Sequence, residues 1–290
     1  MTMHQITGRA VSSILPLMLA FILFTCSQQN NIKTSSVETG KKSVRVTDNI
    51  RYRSGDTDAW LLDLAVPENF GETPRPAIVI IHGGGWRAGA KDVNVYRKML
   101  VDYAFKGYVT ISVEYRLIDE APFPACIEDV KTAVRWLRAH ADELNVDSDR
   151  IGAFGHSAGA HLAMMVAMTP DIEGFKTEEW SEYSSHVTSV VGGSTPTEIK
   201  WEGDIASPKY WPINYIAADH PPMLLIHGTA DKIVPIDPVD EFVKQMRSAG
   251  MDDLTYMRID SGNHGVAYEY HLDQTDPAIE AFFERTLKNQ

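Results

Sequence analysis

Cysteine is nearly absent from this chain of 290 residues, which has only Cys26 and Cys126. Two cysteines exclude a disulfide framework and a zinc site built from cysteine ligands. The histidines are not paired with carboxylates at the spacing of metal ligands, so we expect no metal. Because Cys26 falls in a segment that we expect to be lipidated or removed, Cys126 has no partner and the fold is predicted to have no disulfide.

An excess of positive charge is also missing. Lysine and arginine total 27 against 39 for aspartate and glutamate, which gives a formal net charge of -12. This balance argues against nucleic acid as a partner, because phosphates demand a basic surface, and against electrostatic docking on anionic lipid. A neutral small substrate remains compatible with this net charge.

The sequence also has no internal repeat and no G-x-x-x-x-G-K-[ST] nucleotide loop.

The long apolar run of the chain lies near its start, from Val11 to Phe24, after the positive charge of Arg9. It is too short for a transmembrane span of about 20 residues. We therefore interpret residues 1–26 as a signal peptide and expect an exported protein.

The end of this run, Leu23-Phe24-Thr25-Cys26, resembles a bacterial lipobox, in which cleavage precedes a cysteine that becomes lipidated. Ordinary cleavage nearby, with Cys26 discarded, is the alternative. We predict a periplasmic or outer-membrane-anchored lipoprotein whose membrane contact is the lipid on Cys26. The polar residues 27–43 have too few apolar side chains to fold and are predicted to form a flexible tether.

From about Val44 onward, strand-like and helix-like patterns alternate. Ala77–Ile81 is a continuous apolar run, typical of a strand buried on both faces of a sheet. An antiparallel hairpin is predicted at 50–52 and 59–66, further strands at 108–113, 151–154, 187–191, 223–226 and 254–259, and helices at 96–105, 126–144, 158–168, 238–249 and 277–288. This alternation predicts one α/β domain over 44–290, with a mostly parallel central sheet and helices on both faces.

The stretch from 192 to 221 lacks clear periodicity and carries several aromatic residues, namely Trp201, Tyr210, Trp211 and Tyr215. One interpretation is a cap that faces the substrate, and the other is a long connection packed over the sheet. The aromatic rings of this stretch and of Trp86 are suited to stacking on sugar or phenolic rings. Core packing explains them equally well.

The sequence Gly155-His156-Ser157-Ala158-Gly159 follows an apolar strand and opens a helix of small residues. This context is typical of a nucleophile elbow, in which a serine occupies a strained turn. Side chains two positions either side of the serine would collide with neighbouring elements, and Gly155 and Gly159 remove those collisions. The pattern alone is modest evidence for a nucleophile at Ser157.

His82-Gly83-Gly84-Gly85-Trp86 follows the buried strand 77–81. Consecutive glycines let backbone N–H groups turn toward a ligand without a Cβ in the way. With the elbow downstream, this loop predicts half of an oxyanion hole, to which we assign the N–H groups of Gly84, Gly85 and Ala158. His82 is expected to orient the loop, and His161 to be packed rather than catalytic.

A nucleophilic serine needs a base and an acid that orients the base. Asp231 lies in a loop after the strand 223–226, whereas its rivals Asp237 and Asp240 lie at or in the next helix. His264 follows the last strand between two glycines, and its nearest rival is His271. We predict that Asp231 and His264 complete a triad with Ser157.

The order of serine, aspartate and histidine resembles that of α/β-hydrolases. Over about Val44 to Leu287 the chain resembles the small bacterial esterase/lipase group that contains hormone-sensitive-lipase-like enzymes and feruloyl and acetyl-xylan esterases. The segments that carry the resemblance are HGGGW, VEYRL, FPACIEDVKTAVRWLR, GHSAGAHLA and HGTADKIVP. The resemblance implies a single α/β-hydrolase domain and a serine esterase without a cofactor, acting on a small ester or an acylated saccharide with acetyl or feruloyl groups.

Three alternatives remain. GHSAGAHL is also similar to kynurenine formamidases, although their third glycine is commonly tyrosine, which makes Gly85 an argument against an amidase. A small peptidase of the same fold is the second. The third is a binding module that has lost catalysis, against which the intact Ser157, Asp231 and His264 argue. The sequence indicates no oligomeric state.

Overall fold

A computed structural model describes residues 32–170, 172–200 and 207–289. The predicted signal peptide over 1–26, the lipobox cysteine and the start of the predicted tether lie outside these residues, and so does Trp201. In the part of the chain that the structure describes, no helix is long and apolar enough to cross a membrane.

Within the described residues, a nine-stranded sheet forms the centre of the fold. Its strands are β1 (Lys33–Thr39), β2 (Lys42–Arg51), β3 (Leu61–Glu68), β4 (Arg75–Ile81), β5 (Val109–Val113), β6 (Val146–His156), β7 (Ser189–Gly193), β8 (Met223–Gly228) and β9 (Leu254–Ile259). Their order across the sheet is β1-β2-β3-β5-β4-β6-β7-β8-β9. The pairs from β1 to β3 and the pair β3–β5 are antiparallel, and the remaining pairs are parallel. The predicted α/β fold, mostly parallel with an antiparallel N-terminal hairpin, is confirmed.

Helices cover both faces of the sheet because both sets of side chains that alternate along the central strands are apolar. They are α1 (Asn94–Phe105), α2 (Ala125–Ala139), α3 (Ala141–Leu144), α4 (Ala158–Met168), α5 (Ile236–Ser248) and α6 (Leu272–Phe283), which continues as a π-helical turn over Glu284–Lys288. In β4, Val79 and Ile81 join the core with α2, α4 and α5, whereas Ile78 and Ile80 join the core with α1 and α6. All four are fully buried, and each contributes about 2 kcal/mol to the free energy of unfolding.

The strand β1 differs from the prediction of a flexible tether over 27–43. It pairs with β2 along its whole length, from Lys33 opposite Asp48 to Thr39 opposite Lys42. The chain reverses at Gly40, whose φ of +63° suits glycine. The tether prediction is therefore wrong from residue 33 onward. Composition measures what side chains can bury, but an edge strand is held mainly by backbone hydrogen bonds.

Smaller differences concern the helix ends and the long connection after β7. The helix predicted over 126–144 breaks after Ala139, and the last helix begins at Leu272 rather than at residue 277. The connection contains two short 3-10 turns, Pro208–Tyr210 and Pro212–Tyr215. Cys126 is a buried free thiol in α2.

The carboxyl ends of the parallel strands lie along one edge of the sheet, where α/β proteins place their ligand sites. The glycine loop from His82 follows β4, and Ser157 follows β6. Asp231 lies shortly after β8 and His264 shortly after β9. The topology thus brings every predicted site residue to the same edge.

Candidate active site

Ser157 lies in a strained turn between β6 and α4, with φ of +55° and ψ of -121°. Its neighbours two positions away must be glycine for steric reasons. A Cβ on Gly155 would lie 2.2 Å from the backbone carbon of Gly159, and a Cβ on Gly159 would lie 2.2 Å from the carbonyl oxygen of Ile81. The turn therefore stores backbone strain that the surrounding close contacts hold in place.

The structure brings the three residues of the predicted triad into contact. The Oγ atom of Ser157 lies 2.9 Å from Nε2 of His264. Nδ1 of His264 lies 2.8 Å from Oδ2 of Asp231. The rival Asp240 instead accepts hydrogen bonds from Tyr256 and Arg258.

The carboxylate of Asp231 is held in its charged form. Burial by itself raises the pKa of this group, but the hydrogen bond from His264 and two from the backbone outweigh it, so the pKa is lowered. The two backbone donors are the N–H groups of Ile233 and Val234, both 2.9 Å from Oδ1. An ionised carboxylate at Nδ1 fixes the hydrogen of His264 there, which leaves Nε2 free to accept a proton from Ser157.

The acid and base loops touch each other directly, because β8 and β9 are neighbours. A Cβ on Gly228 would lie 2.2 Å from the carbonyl oxygen of Gly262. The same oxygen accepts a hydrogen bond from the N–H of Ala230 at 2.9 Å. The separation of Asp231 and His264 is thus set by strand pairing.

The glycine loop lies against the nucleophile. A Cβ on Gly83 would lie 3.4 Å from Cβ of Ser157, and the N–H of Gly83 donates to the hydroxyl of Tyr96 at 2.7 Å. Gly84 and Gly85 adopt φ values of +125° and +62°. Among the described residues, no protein acceptor pairs with the N–H of either glycine. Both N–H groups are therefore free to donate to a ligand.

Two buried histidines hold the glycine loop in place. Nδ1 of His82 lies 2.9 Å from the carbonyl oxygen of Gly83, and its ring stacks on Tyr115 at 4.2 Å. His161 accepts a hydrogen bond from the indole N–H of Trp86 at 3.2 Å and donates one to the carbonyl oxygen of Tyr210 at 2.6 Å. Burial lowers the pKa of His161 to about 4, so the ring is neutral. Both histidines are positioned as the sequence predicted.

The aromatic residues around this loop belong to the core. Trp86 is 3% exposed and Tyr210 is 4% exposed. The centroids of their rings lie 6.0 Å and 5.1 Å, respectively, from the ring centroid of Phe123. Core packing is therefore the correct interpretation for Trp86 and Tyr210, which cannot stack on a substrate. Trp211 and Tyr215 are partly buried and pack against the same core.

Two residues that were not predicted as part of the site hold the histidine loop in place. Nε2 of His156 lies 2.7 Å from the carbonyl oxygen of His264, and Oγ of Ser194 donates to the same oxygen at 3.0 Å. Burial, together with the nearby ring of His264, lowers the pKa of His156 to about 4. The neutral ring therefore carries its hydrogen on Nε2 and donates it. A histidine at the variable position of the elbow was the available signal for this contact.

The mostly parallel sheet, the strained serine turn and the contacts of Ser157, His264 and Asp231 together define an α/β-hydrolase. A family model described as BD-FAE matches residues 62–206 and 202–246, which make up more than half of the chain. The chain belongs to the BD-FAE family.

Known proteins similar to this chain include esterases. Esterase LipC of Mycobacterium tuberculosis is 28% identical over 74% of this chain and 59% of its own length. The chain spans between 55% and 59% of the length of three curated relatives from that organism.

Two solved structures resemble it over nearly their whole length. A truncated carbohydrate esterase from gut microbiota has 25% identity and a TM-score of 0.71, covering 81% of this chain and 95% of that chain. Thermogutta terrifontis esterase 2 phosphorylated by paraoxon has 28% identity and a TM-score of 0.71, covering 82% and 93%.

Proposed function

We propose that this protein is a serine hydrolase of carboxylic esters. The observation that carries the proposal is the chain of contacts from Ser157 through His264 to Asp231, at 2.9 Å and 2.8 Å. Both distances lie within the range required for a nucleophile, its base and the group that orients the base.

In the proposed reaction, Oγ of Ser157 attacks the ester carbonyl carbon while Nε2 of His264 takes the hydroxyl proton. Asp231 stabilises the imidazolium that results. The tetrahedral intermediate collapses, the bond to the alcohol oxygen breaks, and His264 gives its proton to the departing alcohol. Water, activated by His264, then hydrolyses the acyl-serine and restores the free enzyme.

The negative charge of the tetrahedral intermediate requires donors beside Ser157. We assign the N–H groups of Gly84 and Gly85, together with that of Ala158 at the start of α4. Each such donor is worth about 3–4 kcal/mol of transition-state stabilisation. The free N–H groups of the glycine loop and its contact with Ser157 support this assignment.

The comparisons support an ester substrate. LipC is named an esterase, and the Thermogutta esterase is phosphorylated by paraoxon, a reagent class that reacts with activated serines. The carbohydrate esterase among the neighbours favours an acylated saccharide, including one with acetyl or feruloyl groups.

The test is hydrolysis of p-nitrophenyl acetate combined with the mass of the intact protein after treatment with paraoxon. We expect the wild type to hydrolyse the ester and to gain one phosphoryl adduct on Ser157. The variant Ser157→Ala is expected to lose both, whereas Ser248→Ala, on the exposed face of α5, keeps both. Undiminished hydrolysis by Ser157→Ala contradicts the proposal. A panel with methyl ferulate, acetyl-xylan and N-formylkynurenine separates esters from formamides.

We also propose that the protein is exported and lipidated on Cys26. The apolar run and the lipobox-like residues 23–26 support this proposal. Labelling of bacterial cells that express the protein with radioactive palmitate tests it. We expect label in the membrane fraction for the wild type and none for Cys26→Ser. Equal labelling of the two proteins, or an unlabelled wild type, contradicts lipidation of this cysteine.

A further inference from the structure

A cavity of about 560 Å³ opens beside His264, between the loop that carries the acid and the loop that carries the base. Its walls include Ile233 and Lys232 from the acid loop and Tyr268, Glu269 and Tyr270 from the segment after the base. Of the triad, His264 lines this cavity, whereas Ser157, Asp231 and the three glycines of the glycine loop are not among its lining residues.

Two tyrosines in the wall of the cavity contact the segments that carry the reacting groups. The ring of Tyr268 lies 5.4 Å from that of Tyr96, whose hydroxyl holds the N–H of Gly83. On the other side, a Cβ on Gly265 would lie 2.6 Å from the ring of Tyr270. The tyrosine rings therefore reach from the glycine loop to the residue that follows His264.

The mechanism of ester hydrolysis determines which half of the ester lies in this cavity. The alcohol oxygen must come within hydrogen-bond distance of Nε2 of His264, because that nitrogen returns the proton when the bond breaks. The group attached to the alcohol oxygen thus extends along the histidine side of the site. The acyl group instead stays bonded to Ser157 after the alcohol has left.

The lining of the cavity indicates what kind of alcohol it accepts. Tyr270 is 51% exposed and Ile233 is 66% exposed, so large apolar surfaces face the solvent here. Lys232 and Glu269 add opposite charges and hydrogen-bonding groups beside them. Apolar faces suit the C–H face of a ring, and the polar groups suit hydroxyls. A lining whose charges balance favours a neutral ligand.

We propose that this cavity is the alcohol subsite, and that Tyr270 and Ile233 select esters whose alcohol is a sugar or another neutral polyhydroxylated ring. The inference rests on the proposed esterase function.

The test compares two substrate series in Tyr270→Ala and in Ile233→Ala, which keeps the backbone N–H that residue 233 donates to Asp231. One series keeps the acetyl group and changes the alcohol, from ethyl acetate to acetylated xylo-oligosaccharides. The other keeps p-nitrophenol and lengthens the acyl chain from acetate to octanoate. We expect kcat/KM for the acetylated sugar to fall about tenfold, and that for ethyl acetate to change less than twofold. The ratio of activities along the acyl series is expected to stay as in the wild type.

Two controls sharpen the comparison. Tyr270→Phe keeps the ring and is expected to retain most of the activity on the sugar ester. Val37→Ala removes another exposed apolar side chain, on β1, and is expected to change neither series. Unchanged activity of Tyr270→Ala on the sugar ester, an equal loss on both acetates, or a shift in the acyl series overturns the proposal. Failure of the esterase function itself looks different, because the wild type is then inactive or Ser157→Ala remains active.

Discussion

The ring nitrogen Nε2 of His156 lies 2.7 Å from the backbone carbonyl oxygen of His264. The residue before the nucleophile thus holds the residue that carries the base, although the two are 108 positions apart in the chain. The ring of His156 is in turn stacked on Tyr268 at 4.8 Å. This contact makes the orientation of the base dependent on the elbow itself.

We expect His156→Phe to lower kcat for p-nitrophenyl acetate about tenfold, the equivalent of one lost buried hydrogen bond. KM is expected to change less than kcat, because the ring of His156 is buried and its hydrogen bond goes to the backbone of His264. His156→Gln restores a side-chain N–H and should recover part of kcat. Steady-state kinetics of the three proteins check this. Equal losses in the Phe and Gln variants, or a rise in KM alone, argue against a positioning role.

The ionised Asp231 is expected to matter for rate and not for binding. Asp231→Asn should lower kcat by a factor on the order of 10³–10⁴, because the amide no longer holds the hydrogen of His264 on Nδ1. The matched control is Asp237→Asn, an exposed acid in the first turn of α5, which should stay within twofold of the wild type. A comparable loss of kcat in Asp237→Asn contradicts the assignment of Asp231 as the acid of the triad.

The elbow is predicted to tolerate no Cβ at Gly155. Gly155→Ala forces a contact of 2.2 Å with the backbone of Gly159, so we expect the free energy of unfolding to fall by at least about 3 kcal/mol. Gly174→Ala is the control, since a Cβ there meets nothing within 4 Å. Urea unfolding followed by circular dichroism measures both. Equal midpoints for the two variants refute the steric argument.

Burial of neutral histidines predicts a loss of stability in mild acid. Burial lowers the pKa of His161 from 6.5 to about 4. Between these values the unfolded chain binds a proton that the folded chain does not, so stability falls as the pH falls. Above about 6.5 neither state binds the proton, and below about 4 both do. The pKa of His156 is lowered in the same direction.

The variant His161→Gln separates this effect from other titrations. Relative to their values at pH 8, we expect the wild type to lose more free energy of unfolding than the variant by pH 4. The difference is on the order of 3 kcal/mol for a pKa change of this size. Urea unfolding at pH intervals between 8 and 4 gives the two curves. Parallel curves for the two proteins contradict a lowered pKa of His161 as the cause.

The elbow and the strand before the glycine loop were predictable because their signals are local. Gly155 and Gly159 flank the serine within one turn, and the apolar run 77–81 is short and unbroken. The partners of Ser157 were also predictable from the sequence, because Asp231 and His264 each follow a strand in the order typical of the fold.

Other features depend on contacts that no local pattern records. The bond from His156 to the carbonyl of His264 joins distant loops, and its acceptor belongs to the backbone. The side to which Trp86 points depends on His161 and Phe123, which lie far along the chain. Burial of that ring therefore became evident only with the structure.

The outer strand β1 has a consequence for the solubility of the folded protein. A sheet edge carries free N–H and C=O groups that readily pair with another molecule. Within the described residues that edge is formed by Lys33–Thr39, which is mostly polar and exposed. Without it, the edge would be β2, whose Val44 and Val46 are fully buried core residues. The short polar strand β1 thus covers the edge of β2 and places polar side chains at the outside of the sheet, which disfavours edge-to-edge aggregation.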